Sequence, residues 1–152
     1  LYTEMSVKGQ IQEDVKTAMK ARDKDRLKVL RLISAAIKQV EIDERTELDD
    51  PAVLTILNRM VKQRRDSITQ FEGGNRQDLA DIEAAEIGII ETYLPEPLSN
   101  DDLEMLIDEA IARTGAESIR DMGKVMGHVK TMAAGRADMG IVGVKVKGRL
   151  GT

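Results

Sequence analysis

At 152 residues the chain has room for one domain or two small ones, and a balance of 41% hydrophobic and 33% charged residues fits a folded soluble protein rather than a disordered or membrane-spanning one. No apolar run approaches the roughly 20 residues of a membrane span, and the absence of cysteine excludes disulfides, thiolate zinc sites, iron–sulfur clusters and cysteine nucleophiles. The formal net charge is −4, and the aromatic residues are only Tyr2, Phe71 and Tyr93, too few to build the base-stacking platform of an RNA-recognition or cold-shock module.

Leu1 to Glu4 precede Met5, which is the expected native start, and Lys8, Glu13, Asp14 and Lys16 interrupt any signal-peptide core after it. From there the pattern is helical throughout. Ile11, Val15, Ala18 and Met19 share one face of a helix over about 6–21, with Ser6 as its cap. A turn at 22–25 leads to a second helix reaching about Glu44, on Leu27, Leu30, Ile33, Ile37 and Val40, with Val29 and Leu32 widening the stripe. Asp50 as cap and Pro51 at the first helical position open a third helix on Leu54, Leu57, Val61, Ile68 and Phe71, with Arg64 where another apolar residue would fit. Gly73-Gly74 ends it, and Asn75 is the expected cap of a fourth helix on Leu79, Ile82, Ile89, Ile90 and Tyr93, its stripe interrupted by Ala85 and Glu86.

Pro95 and Pro97 cannot lie within one regular helix, so residues 95–98 read as a linker between an N-terminal four-helix domain, 5–94, and a small C-terminal three-helix domain, 99–150. Ser99 opens a helix on Leu103, Leu106, Ile107, Ala110 and Ile111 that Gly115 stops. Ser118 caps the next, on Ile119, Met122, Val125, Met126 and Val129, and Gly135 and Asp138 mark a turn and cap. The last segment carries Ile141, Val142, Val144, Val146 and Leu150. Its alternation with Gly143, Lys145 and Lys147 would also fit a strand, but there is no second strand to pair with, so a helix is expected. The fold class is therefore all-α.

Charge is segregated along the chain. Residues 1–94 carry a net −3, residues 95–118 a net −6, and residues 119–152 a net +5, a distribution that points the last segment at a polyanion or an acidic partner. Its candidate RNA-binding residues are Arg120, Lys124, Lys130, Arg136, Lys145 and Lys147, with Lys124 flanked by Gly123 and Gly127. Those glycines would permit close approach of a partner backbone or tight packing on a neighbouring helix. A second basic cluster, Lys16 to Arg31, is interleaved with Asp23 and Asp25 and reads as a solvated helix surface. Met122, Met126, Met132 and Met139 fit core filling or a deformable apolar docking surface.

No catalytic, metal or cofactor residues are expected. His128 is the only histidine and has no second histidine for a metal site. No serine has a nucleophile-elbow context, and neither G-x-G-x-x-G nor G-x-x-x-x-G-K-[ST] occurs. The acidic run Glu41 to Asp50 lacks the glycine and alternation of a calcium loop.

At Tyr93-Leu94-Pro95-Glu96-Pro97-Leu98-Ser99, at Asp121-Met122-Gly123-Lys124-Val125-Met126-Gly127 and at Gly135-Arg136-Ala137-Asp138, the chain resembles the YqeY-like proteins. The likeness runs from Met5 to Leu150 and includes Leu27-Lys28-Val29-Leu30-Arg31-Leu32 and Arg64-Arg65-Asp66-Ser67. These proteins share a domain with the tail of the B subunit of the tRNA-dependent Asp/Glu amidotransferase. The resemblance implies a helical bundle followed by a three-helix domain, and a role near tRNA. It also brings the label of a carbon–nitrogen ligase with glutamine as amido donor, inherited from that complex. This chain has neither the amidase Ser-Ser-Lys set nor a nucleotide site, so no stand-alone activity is expected. The expected function is a non-catalytic tRNA-associated module. The alternatives are a protein-interaction adaptor, or an accessory to a ligase working with amidotransferase or other subunits. No membrane partner is expected, and a cytoplasmic location is.

Overall fold

The computed structural model describes residues 5–133 and 135–151. The segment Leu1 to Glu4, read above as preceding the native start, lies outside the described residues. Among the described residues seven α-helices follow in order: α1 Val7–Ala21, α2 Lys24–Glu44, α3 Asp50–Gly73, α4 Gln77–Glu91, α5 Asn100–Thr114, α6 Met122–Ala133 and α7 Met139–Leu150. A single 3₁₀ turn, Ile119–Asp121, precedes α6, and no strand occurs among the described residues. The protein is all-α, as its periodicity requires. It falls into two compact units, Leu1–Leu94 and Pro95–Thr152.

In the first unit, α3 and α4 pack along each other, and α1 and α2 form a second pair. The core is built by Ile11 and Ala18 of α1, Val29, Leu30, Ile33 and Ile37 of α2, six residues of α3 from Val53 to Val61, and Ile87 and Ile90 of α4. Not every residue on a predicted stripe is inside. Met19, Leu32 and Ile82 are exposed, because each stripe is wider than the surface its neighbours cover.

Local chemistry sets the helix ends. Ser6 accepts from the Gly9 N–H and Asp23 from the Arg26 N–H. Asp49, rather than Asp50, caps α3 by accepting from the Ala52 N–H. Asp50 is then free to accept from the Val7 N–H at the start of α1. Asn75 does not cap α4: it sits in the left-handed region at φ 60°, and Arg76 takes the cap position with no side-chain bond. The acidic run is thus structural at several points. Glu41 accepts from Lys8 Nζ at 2.6 Å and from the Leu48 N–H at 2.9 Å, tying α1 to α2 and to the loop before α3. The Lys8 hydrogen bond, with that from Leu48, holds its carboxyl below the usual carboxylate range.

The two residues that interrupted the stripes of α3 and α4 meet each other. Arg64 Nε lies 3.4 Å from Glu86 Oε1 and 4.0 Å from Glu83 Oε2, and its Nη1 donates to the Met60 carbonyl.

Tyr93 closes the unit. Its hydroxyl donates to Asp14 of α1 through a short hydrogen bond, and Arg26 of α2 stands 3.9 Å from the same carboxylate oxygen. Burial, reinforced by the Asp14 carboxylate, pushes the Tyr93 hydroxyl well above the ordinary tyrosine range. A raised native value makes this stabilisation complete below pH about 10 and lost as pH rises through the native value. Tyr93→Phe is therefore expected to lower stability by about 1 kcal/mol at pH 8. The gap to the parent should shrink above pH 10 in paired thermal melts. A gap that stays constant to pH 11 would contradict this role.

Candidate nucleic-acid interface

The second unit is a three-helix packing with α6 at its centre, touching both α5 and α7. Leu103, Ile107 and Ala110 of α5, Val125, Val129 and Ala133 of α6, and Val142, Val146 and Leu150 of α7 form its core. Met122, Met126 and Met139 pack against that core, whereas Met132 is half exposed. Ser99 caps α5 through the Asp102 N–H, and Asp138 caps α7 through the Gly140 N–H. Ser118 forms a full capping box with Asp121, but over the 3₁₀ turn, so the α-helix starts at Met122 rather than directly after the cap. Hydrogen bonds from the Glu117 and Ser118 N–H groups hold the Asp121 carboxyl low, the Glu117 bond foremost. The segment read as a linker is pinned here: the Leu98 N–H donates to the Arg136 carbonyl at 2.9 Å, and Arg136 Nε donates to the Glu96 carbonyl at 2.8 Å.

The six candidate cations separate into two groups. Lys145 reaches back to Glu104 Oε1 of α5 at 2.7 Å, and Arg136 is held by Glu96 as above. Arg149 pairs with both Glu104 and Asp108. The Lys145 and Arg149 bonds hold the Glu104 carboxyl low, Lys145 contributing most. The acidic α5 therefore neutralises part of the basic segment. These partners lie some 40 residues apart in sequence, and no local pattern announces them.

Arg120, Lys124, Lys130 and Lys147 are the second group. All four are exposed, and none makes an ion pair or side-chain hydrogen bond among the described residues. At 3.6 residues per turn, Lys130, Gly123, Gly127, Thr131 and Lys124 occupy the side of α6 opposite Val125 and Val129. A Cβ added at Gly123 or Gly127 would meet nothing within 4 Å, so neither glycine serves packing against a neighbouring helix. The result is a low helix face with a lysine on either side.

His128 is half-buried, with Nε2 sealed from solvent and unpartnered. No three His, Asp or Glu side chains converge as metal ligands among the described residues. No helix among them is long and apolar enough to cross a membrane. The last helix exposes Ile141 and Val144, two positions of its predicted stripe, because an apolar surface nearly all round α7 finds neighbours on one side only.

The proteins named "Altered inheritance of mitochondria protein 41, mitochondrial" include one from Pyrenophora tritici-repentis that is 28% identical over 129 residues, 84% of this chain and 71% of that one. One from Meyerozyma guilliermondii is 40% identical over 84 residues, 55% of this chain and 44% of its own length. The one from Saccharomyces cerevisiae is 28% identical over 123 residues, 76% of this chain and 66% of its own. The chain thus spans about half to two thirds of the length of most of these relatives. Their names also overturn the cytoplasmic expectation: they are mitochondrial proteins by name. The sequence profile of the Yqey-like proteins matches residues 8–150, taking in the helices of both units and the proline segment between them, and the chain belongs to that family.

Proposed function

We propose that the chain is a non-catalytic binding module for the backbone of a structured RNA, tRNA being the first candidate. The observation that carries this reading is the outward face of α6, where Lys124 and Lys130 stand unpaired on either side of Gly123 and Gly127. Arg120 before α6 and Lys147 on α7 add two further unpaired cations to the same unit. Phosphate is the fitting ligand for such a surface. The lysines bring charge without base-reading geometry, and the glycines let a sugar–phosphate backbone come close. Lys145 is engaged by Glu104 and is the weaker contact. A mitochondrial setting is part of the proposal, after the names of the relatives. A protein-docking role has its own support in the exposed Ile141 and Val144 of α7.

The test is filter binding of tRNA over a salt series. Lys124→Glu with Lys130→Glu is expected to weaken binding about tenfold or more at low salt and to reduce the salt slope by about 2. Equal affinity and equal slope, with the circular dichroism spectrum intact, would remove the RNA reading.

A further inference from the structure

The first unit carries a second basic surface that the RNA reading does not use. On α2, Lys24, Lys28 and Arg31 follow at i, i+4 and i+7, which stacks them along one face over about 10 Å. Lys38 continues that face after Ala35, about 10 Å further on. All four cations are exposed, and none has an ion-pair or hydrogen-bond partner among the described residues.

Of the two acids interleaved with them in sequence, Asp23 is directed elsewhere. Asp23 accepts from the Arg26 N–H as the cap of α2, and Asp14 is held by Tyr93 and Arg26. Glu13 pairs with Lys16. Asp25 is exposed about 60° around the helix from Lys28 at i, i+3, on the edge of the row, and no ion pair or hydrogen bond joins the two among the described residues. The interleaved pattern that reads as a solvated surface therefore folds into a row of four cations with one carboxylate, Asp25, at its edge.

The row itself runs through an open depression, with Leu27 on one edge and Leu32 on the other. Lys24, Leu27, Lys28, Arg31 and Leu32 line this hollow of about 440 Å³. Leu27 packs against the core from one side, and Leu32 is 42% exposed. A phosphate backbone has nothing apolar to place against these leucines, and no aromatic lines the hollow to stack a base. A helix with carboxylates at the spacing of the cations and an apolar residue between them satisfies both features at once.

We infer that the α2 face of Lys24, Lys28, Arg31 and Leu32 is a docking site for an acidic amphipathic helix of a partner protein. The carboxylates pair with the row and one apolar side chain enters the hollow beside Leu32. The charges steer and orient the partner, and the leucines distinguish it from other polyanions.

The experiment uses the full chain and a fluorescein-labelled synthetic peptide of about 18 residues, long enough for helix formation. It carries Glu at i, i+4 and i+7 with Leu between them. A second peptide has that Leu replaced by Ser, and a fluorescein-labelled RNA hairpin is the competing class. Anisotropy should show saturable binding of the first peptide, weakened about tenfold or more by Lys28→Glu with Arg31→Glu. Leu32→Ser in the protein and Leu→Ser in the peptide should each weaken it about fivefold, the size of a partly buried leucine contact. Both protein changes fall on exposed positions, and unchanged melting temperatures confirm the fold. Absence of saturable peptide binding overturns the inference. So does binding indifferent to both leucine changes, which is plain ionic adhesion, or a larger loss for the hairpin than for the peptide on charge reversal, which assigns the row to RNA. The Lys124→Glu, Lys130→Glu protein should keep peptide affinity, so this result stands or falls apart from the RNA reading.

Discussion

Replacing Arg64 by alanine is expected to destabilise the N-terminal unit by about 2–3 kcal/mol, more than most surface changes to this protein could. Arg64 lies on the inner side of α3 with its side chain 13% exposed, against Glu86 at 14% and Glu83 at 23%. Without the guanidinium, two carboxylates face each other in a mostly dry seam between α3 and α4, and the Met60 carbonyl loses a second donor beyond its helical one. Breaking a fully buried pair costs about 3–5 kcal/mol; the residual exposure here lowers that figure. The paired substitution Arg64→Leu with Glu86→Leu removes charge and counter-charge together and should come within about 1 kcal/mol of the parent, since apolar replacements of buried ion pairs are close to neutral. Urea melts of the parent, Arg64→Leu, Glu86→Leu and the double variant close the cycle, with Arg64→Ala measured beside them. A cost under about 0.5 kcal/mol for Arg64→Ala would mean that the seam is wet and the pair is ornamental.

The same pair shows where sequence reasoning reaches its limit. Local rules act over three or four residues, so the caps at Ser6, Ser99 and Asp138 and the helices they open are legible from neighbours alone. The cap of α3 is displaced by one residue because Asp49 and Asp50 are both competent, and only the nearness of the Val7 N–H decides which side chain is spent elsewhere. Arg64 and Glu86 each look like a fault in an apolar stripe when read singly. Their meeting is a tertiary fact. Glu104 is 41 residues from Lys145 and 45 from Arg149, so a segment with net charge +5 in sequence keeps fewer free cations once α5 lies beside it. On α2 the reverse happens. Of the two acids that neutralise the row on paper, Asp23 is taken by a cap and only Asp25 stays at the row's edge, so the folded surface is more basic than the sequence suggests. Faces are legible where one side of a helix is apolar, as in α1. They are not where the apolar surface runs nearly all round, as at Ile141 and Val144 of α7.

Ile107→Ala is expected to unfold the C-terminal unit while leaving α1–α4 folded. Ile107 is wholly buried at the middle of α5 and is the largest fully buried side chain in that unit. The unit has fewer than 60 residues and draws its core mainly on valines and alanines, so a stability of only about 3–5 kcal/mol is to be expected of it. Removing the Ile107 side chain beyond Cβ costs about 2–5 kcal/mol through lost burial and the cavity left behind. Nearly all of the unit's stability goes with it. Each unit has its own core, so the loss should not spread. Hydrogen exchange should find amides of α5, α6 and α7 unprotected and those of α1 to α4 protected as in the parent, with roughly a third of the helical circular dichroism lost. Ile107→Val, which costs only about 0.5–1.5 kcal/mol, should retain protection in all seven helices. Loss of protection throughout the chain in the alanine variant would show one cooperative unit instead of two. The variant also divides the two binding surfaces. With α6 unfolded, the face flanked by Lys124 and Lys130 no longer exists, so tRNA binding should disappear, whereas the α2 row keeps its scaffold and its acidic peptide.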